Sequence, residues 1–254
     1  MKKLAVLLLL LLPAGPAAAD DAAYAALYAR GDYAAAMQAG EAAHTAAGYA
    51  VAARAALSDA VLRDAPCLEC LQHAETLAAA AVAADPKFAD GQTWLAASLG
   101  YQTRIKGVAW AQLHDLPNRA KAALEAAVAA EPANPYAVSV LGGWHVEVVK
   151  GAGPFLGRTL YGATVNAAMT LFERAAKLAP GNVGVRYQIA LALAGYDPEA
   201  NRARIAAELD AAIKAAPVTA YERVLQARAV ELKTLLPGSR AAFDARVRKF
   251  QGYP

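Results

Sequence analysis

Five stretches of this chain repeat one spacing: a small or packing residue, then a second four positions on, a third three further, and a proline or glycine five after that. They are Ala36, Gly40, Ala43 and Gly48; Ala74, Ala78, Ala81 and Pro86; Ala120, Leu124, Ala127 and Pro132; Ala168, Phe172, Ala175 and Pro180; and Ile205, Leu209, Ala212 and Pro217. Steps of four and three keep residues on one helix face, and the fourth residue stops the helix. A chain built this way folds into helices of similar length, each needing neighbours to cover its small-residue stripe.

A second pattern follows the breakers in register. Nine residues after Gly48, Pro86, Pro132 and Pro180 come Leu57, Leu95, Leu141 and Ile189, and next to these the small residues Ser58, Ala96, Gly142 and Ala190. Three further on come Val61, Leu99, His145 and Leu193. The two patterns are the two halves of a tetratricopeptide-like unit. Small residues at these places let helices approach closely, and their larger neighbours fill the gaps. The 70 alanines among 254 residues then supply helix propensity and close packing together. The expected fold is all-α: a right-handed α-solenoid of about five helix pairs with a C-terminal capping helix at residues 239–250.

The period is uneven. Pro86, Pro132, Pro180 and Pro217 stand 46, 48 and 37 residues apart, against about 34 in the standard unit. The surplus falls in residues 101–117 and 149–163, between first and second helices. Val138 to Lys150 reads as a first helix and Gly151 to Ala163 as an inserted connection. With Phe155, Leu156, Leu160 and Tyr161, that connection is too apolar for a solvated linker. It is expected to pack on the solenoid with Trp144 as its platform and Arg158 at its edge.

The segments "LGGWHVEVV" and "LYGATVNAAMTLFERAAKLAP" resemble the regulator of microtubule dynamics family of tetratricopeptide-like proteins. The matching residues are Leu141, Gly142, Trp144, Ala163, Thr164, Ala168 and Phe172, and the resemblance covers residues 90–217. Gly143 departs from the arginine usual there, and Tyr161 and Gly162 from the usual prolines. The resemblance implies a helical scaffold, and does not bring microtubule binding to an exported chain. A looser likeness, tied to no particular residues, is to periplasmic helical-repeat components of solute transporters.

The first residues have the pattern of a secretory signal: Lys2 and Lys3, an apolar run from Leu4 to Leu12, and Ala17-Ala18-Ala19 before Asp20. Cleavage after Ala19 would leave residues 20–254 as one repeat domain in the periplasm or secreted. That part has 23 basic and 22 acidic residues, a balance that argues against a nucleic-acid partner. No later stretch is apolar and long enough to span a membrane.

Chemistry is sparse. Cys67 and Cys70 in "CLEC" follow Pro66 at a helix start, and in an exported chain they are expected to form a disulfide. With His73 they lack a fourth metal ligand, so neither metal nor cofactor is expected. "GAGPFLG" fits neither phosphate-loop template and follows a helix rather than a strand. His44, His73, His114 and His145 match no zinc pattern, and no nucleophile motif is present, so no catalytic residue is assigned. The expected function is non-enzymatic binding of a periplasmic protein or peptide on the concave face. By register that face includes Asp59, Arg63, Asp90, Thr93, Tyr101, Tyr136, Ser139, Glu147 and Tyr187. The candidate binding set is Tyr101, Tyr136, Trp144, His145, Glu147, Arg158, Tyr161 and Tyr187. Two alternatives stand beside it: a small-ligand carrier associated with a transporter, and an enzyme using residues 144–161. A closed apolar pocket near Trp144 and Tyr161 would favour the carrier, and an open groove the protein partner.

The cysteine assignment has a direct check. Thiol titration of the exported protein, denatured without reductant, is expected to find no free thiol. Two free thiols or stoichiometric zinc would overturn the disulfide.

Overall fold

The computed structural model describes residues 16–254, and every element among them is helical. In chain order these are α1 (Pro16–Arg30), α2 (Tyr33–Ala42), α3 (Ala46–Leu62), α4 (Leu68–Ala84), α5 (Ala89–Lys106), α6 (Val108–Leu113) and α7 (Leu116–Ala130). There follow α8 (Pro135–Leu156), a π-helical turn at Gly157–Tyr161, α9 (Val165–Leu178), α10 (Val183–Tyr196), α11 (Arg202–Lys214), α12 (Ala220–Leu235) and α13 (Arg240–Phe250). Successive helices pack as five pairs: α1 on α2, α3 on α4, α5 on α7, α8 on α9 and α10 on α11. Two further helices close the C-terminal side, where a single cap was expected; α12 is the addition. The apolar run Leu4–Leu12 and the rest of the signal pattern up to residue 15 lie outside the described residues. Among those described, no helix is long and apolar enough to cross a membrane.

The repeat columns are the core. Ala74, Ala78, Ala81, Phe172, Leu209 and Ala212 are all buried, on α4, α9 and α11. Gly40 and Gly48 bring α2 and α3 into backbone contact, because a Cβ on Gly40 would lie 2.4 Å from the Gly48 carbonyl oxygen. Gly142 has a similar role: a Cβ there would sit 2.7 Å from the Phe172 ring. The breakers also start the next helix. Asn134 and Asn182, each two residues after a breaker proline, accept N–H groups of Ala137 and Val185 through their side-chain oxygens. Cys67 caps α4, and its Sγ lies 1.99 Å from that of Cys70, at disulfide distance.

Both insertions are one device. Helix α5 stops at Gly107 (φ 87°, ψ 163°), and the regular part of α8 stops at Gly153 (φ 81°, ψ 161°). The two glycines are 46 positions apart, the spacing of Pro86 and Pro132. Each holds a conformation open to glycine and costly for other residues, and each launches a short helical segment. The second segment corrects the expectation of a buried connection. Only Gly157 and Ala163 are buried in it, and a Cβ on Gly157 would lie 3.4 Å from the Val149 Cα. Phe155 is 75% exposed, Leu160 65% and Leu156 47%, as is Leu113 of the first insertion at 82%. These four large apolar side chains of the insertions therefore face outward, while Ala111, Ala163 and the half-buried Trp110 and Tyr161 pack inward.

The coil of helices also closes on itself. Helix α1 touches α12, with the Gly31 Cα so near Ala220 that an added Cβ would approach its methyl to 2.9 Å. Arg228 of α12 donates to the Val61 carbonyl of α3 at 3.1 Å, and Lys249 of α13 lies 3.6 Å from Asp64. Arg104 of α5 donates to the Gln251 carbonyl at 2.9 Å. These contacts join the two ends of the coil across its concave side.

Phe172 and Leu141 are both buried on adjacent helices, but they belong to two neighbouring cores rather than one. Phe172→Ala is expected to cost about 3–5 kcal/mol in chemical denaturation, as for buried aromatics generally. Arg240→Ala removes only exposed pairs, with Asp244 and Glu199, and is expected to leave the midpoint nearly unmoved. Equal effects would contradict this packing.

Candidate functional site

The closed coil surrounds a cavity of about 430 Å³, within the range typical of small-molecule sites. Its walls come from α1, α3, α5 to α8, the π-helical turn, α10, α12, α13 and the C-terminal residues. They are mostly carbon, with Leu57, Leu99, Leu124, Val140, Trp144 and Leu225 among the lining side chains. Gly100 and Gly143 belong to the same wall. Both sit in helices, and a Cβ on either would meet no heavy atom within 4 Å. Each is a mid-helix glycine with neither a turn nor a close contact to require it, and its absent side chain leaves cavity volume.

Two polar poles interrupt the carbon. At one, Arg104 donates to Glu147 at 2.9 Å, and the Tyr253 hydroxyl donates to the other Glu147 oxygen at 3.2 Å. Burial works against the Arg104 charge; Glu147, Tyr101 and Tyr253 outweigh it and hold the guanidinium above its ordinary range. The Gln251 amide lies flat on Gly195, where a Cβ would come within 2.0 Å of its nitrogen, and it donates to the Leu191 carbonyl. The last residues of the chain therefore form part of the wall.

At the other pole, Arg54 of α3 lies within 4.5 Å of the Tyr28 ring centroid and 5.2 Å of those of Trp94 and Tyr136. Burial again opposes its charge, and Tyr28, Tyr136 and Asp90 more than compensate. Tyr28 and Ser58 share a hydrogen bond at 3.1 Å beside it, and Tyr136 donates to Asn182 at 3.1 Å. Burial raises the Tyr136 phenol, so it stays protonated as a donor.

Five of the eight candidate residues line this cavity: Tyr101, Tyr136, Trp144, Glu147 and Tyr161. Ser139 of the expected concave set lines it too. Tyr187 is 1% exposed, packed in the core and outside the cavity wall. Asp59 and Arg63 pair with each other at 2.7 Å, away from the cavity, and Thr93 is buried against its own helix. Asp90 accepts from Asn134 instead. Arg158 is exposed and is not part of the cavity wall. His145 braces the second insertion: its Nδ1 accepts the Thr164 N–H at 3.2 Å. Lys121 does the same from α7, donating to the Tyr161 carbonyl at 2.9 Å. Trp144 is fixed by its Nε1–H donating to the Pro117 carbonyl at 2.9 Å, not by the exposed Phe155 and Leu160.

Arg54, Trp94, Tyr28, Tyr221 and Tyr253 escaped the sequence reading. One signal for Arg54 was present: it interrupts "VAARAAL", where Ala52, Ala53, Ala55 and Ala56 are all buried. An arginine in a helix that is apolar nearly all round has been placed inside the molecule. Among the described residues no three His, Cys, Asp or Glu side chains converge as metal ligands.

Fold and site together define a helical-repeat protein built around an internal cavity. The family model for regulator of microtubule dynamics protein 1-3 matches residues 49–236. The match spans well over half of the chain, which belongs to this family. No curated protein matches it.

His145 has a pH signature. Burial first, and then Lys121, lower its pKa from the ordinary 6.5. Below 6.5 the unfolded chain takes up the proton before the folded one does. The contribution is therefore full above 6.5 and is lost as pH falls through the folded value. Between about pH 8 and about pH 5 the wild-type melting temperature is expected to fall more than that of His145→Gln. Parallel curves would show that the imidazole is not held neutral.

Proposed function

We propose that this protein is a non-enzymatic receptor or carrier for a small, largely apolar ligand, held in the cavity inside the closed coil. The observation behind this reading is the cavity itself: carbon-walled, partly open to solvent, adjoining Trp144 and Tyr161, and widened by two helical glycines. Of the binding modes considered from the sequence, an open groove for a peptide fits this geometry less well. The N-terminal pattern of residues 1–19 supports an exported protein acting in the periplasm, and the two half-motifs support a tetratricopeptide-like ancestry for its helix pairs.

A protein partner has its own support in the outward-facing Leu113, Phe155, Leu156 and Leu160. These residues lie on the two insertions, which also contribute Gly107, Val108, Gly151 and Tyr161 to the cavity wall. A partner docked there, such as a transporter component, would sit beside the ligand.

Gly143→Leu tests the cavity. The new side chain enters empty space and replaces a helical glycine, so the fold is expected to hold or gain about 1 kcal/mol. Wild type is expected to bind the neutral fluorescent probe N-phenyl-1-naphthylamine saturably, and Gly143→Leu to lose that binding. Absent binding in wild type, or binding unchanged in the variant, would overturn the proposal.

A further inference from the structure

Arg54 is a half-buried cation without an ion-pair partner. Among the described residues no carboxylate comes within ion-pair distance of it, whereas Arg104 has Glu147 at 2.9 Å and Arg186 has Glu208 at 2.8 Å. Asp90, whose charge Arg54 feels, is engaged by Asn134 at 3.1 Å. The guanidinium cannot shed its proton to relieve burial. The faces of three rings and a hydrogen bond with the Tyr28 side chain offset the desolvation, but no carboxylate meets the fork of N–H donors. Its place in the cavity wall, with the Tyr28 and Ser58 hydroxyls beside it, makes it a receiver for something that enters.

We propose that the ligand is an amphipathic carboxylate, with an apolar body filling the carbon-walled chamber and its carboxylate paired with Arg54. This rests on the cavity being a binding site, and adds the class of ligand. One guanidinium matches one carboxylate in charge and in fork geometry. A phosphate dianion would call for a second cation beside Arg54, and the other cations of the wall stand at the opposite pole: Arg104 on Glu147, and Lys150 and Arg248 over the Tyr253 ring. The aromatic cage has a positioning role: Tyr28, Trp94 and Tyr136, from α1, α5 and α8, hold the guanidinium plane and exclude water from the pair. In such surroundings a charge-assisted pair is stronger than one at the surface.

The test uses dodecanoate and methyl dodecanoate as competitors against N-phenyl-1-naphthylamine on the full exported protein. Wild type is expected to bind the carboxylate at least about tenfold more tightly than the ester, as a charge-assisted pair requires. In Arg54→Gln the ester's affinity is expected to hold while the ratio falls to near one. Equal binding of acid and ester by wild type, or a preserved ratio in Arg54→Gln, overturns the assignment. The wild-type comparison stands even if that variant fails to fold. If the neutral probe and the ester bind without any advantage for the acid, the carboxylate assignment alone fails. If none of the three binds, the cavity reading fails with it.

Discussion

Arg104 is held between the Glu147 carboxylate of α8 and the Gln251 carbonyl beyond α13. That junction ties the middle of the coil to its last residues. Without it, stacked helix pairs would leave an open concave face. With it, and with Arg228 reaching the Val61 carbonyl from the far end, the face becomes a wall. The pair is partly buried, its side chains 19% and 27% exposed, and taking both charges from water has a cost. The Tyr253 hydroxyl on Glu147 and the Gln251 carbonyl on Arg104 each add a hydrogen bond to the pair, which offsets part of that cost. The gain is positional: the C-terminal residues are seated in one register against α5 and α8. Gly195 is part of the same fit, since the Gln251 amide occupies the space of its absent side chain.

Alanine makes so tight a closure feasible. Helices that meet through methyl groups and bare Cα atoms approach closely, as Gly40 and Gly48 do at the first crossing and Gly142 does over Phe172. The penalty is that small side chains bury little area each, so stability must come from many contacts and from a few large residues per pair. Phe172, Leu124, Leu209 and Leu225 fill that role. The glycines at 107 and 153 serve another end. By breaking α5 and α8 at equivalent points of consecutive repeats, they turn helix ends into short segments that border the cavity on the inside and present apolar side chains outside.

The helices and their pairing were legible because both are local. Steps of four, three and five, with a breaker, need only a dozen residues to declare themselves, and the buried columns fall on them. The closure was not legible: it joins residues 61 and 228, or 104 and 251, and no periodicity encodes a contact across most of the chain. The errors at the site follow from this. Tyr187, assigned to a concave face by register, lies in the core because α10 is covered by α8, α11, α12 and α13. Arg54 and Tyr253 were missed because they matter only once the ends meet. Phe155 and Leu160 were expected to be buried on composition alone. The rule that apolar residues avoid water fails where a short helix is anchored by other means, here by Lys121, His145 and Gly157.

The two poles of the cavity explain one another. Both present an arginine against aromatic rings, and burial disfavours both charges. Arg104 is answered from within the chain, by Glu147, and its role is structural. Arg54 is answered by rings and hydroxyls but by no carboxylate. A chain that neutralises one buried cation and leaves the other open has an asymmetric chamber, which would seat an amphipathic guest in one orientation only. The polar end of such a guest would lie between α1, α3, α5 and α8, near the first repeats. Its apolar end would lie toward Trp144 and the two insertions.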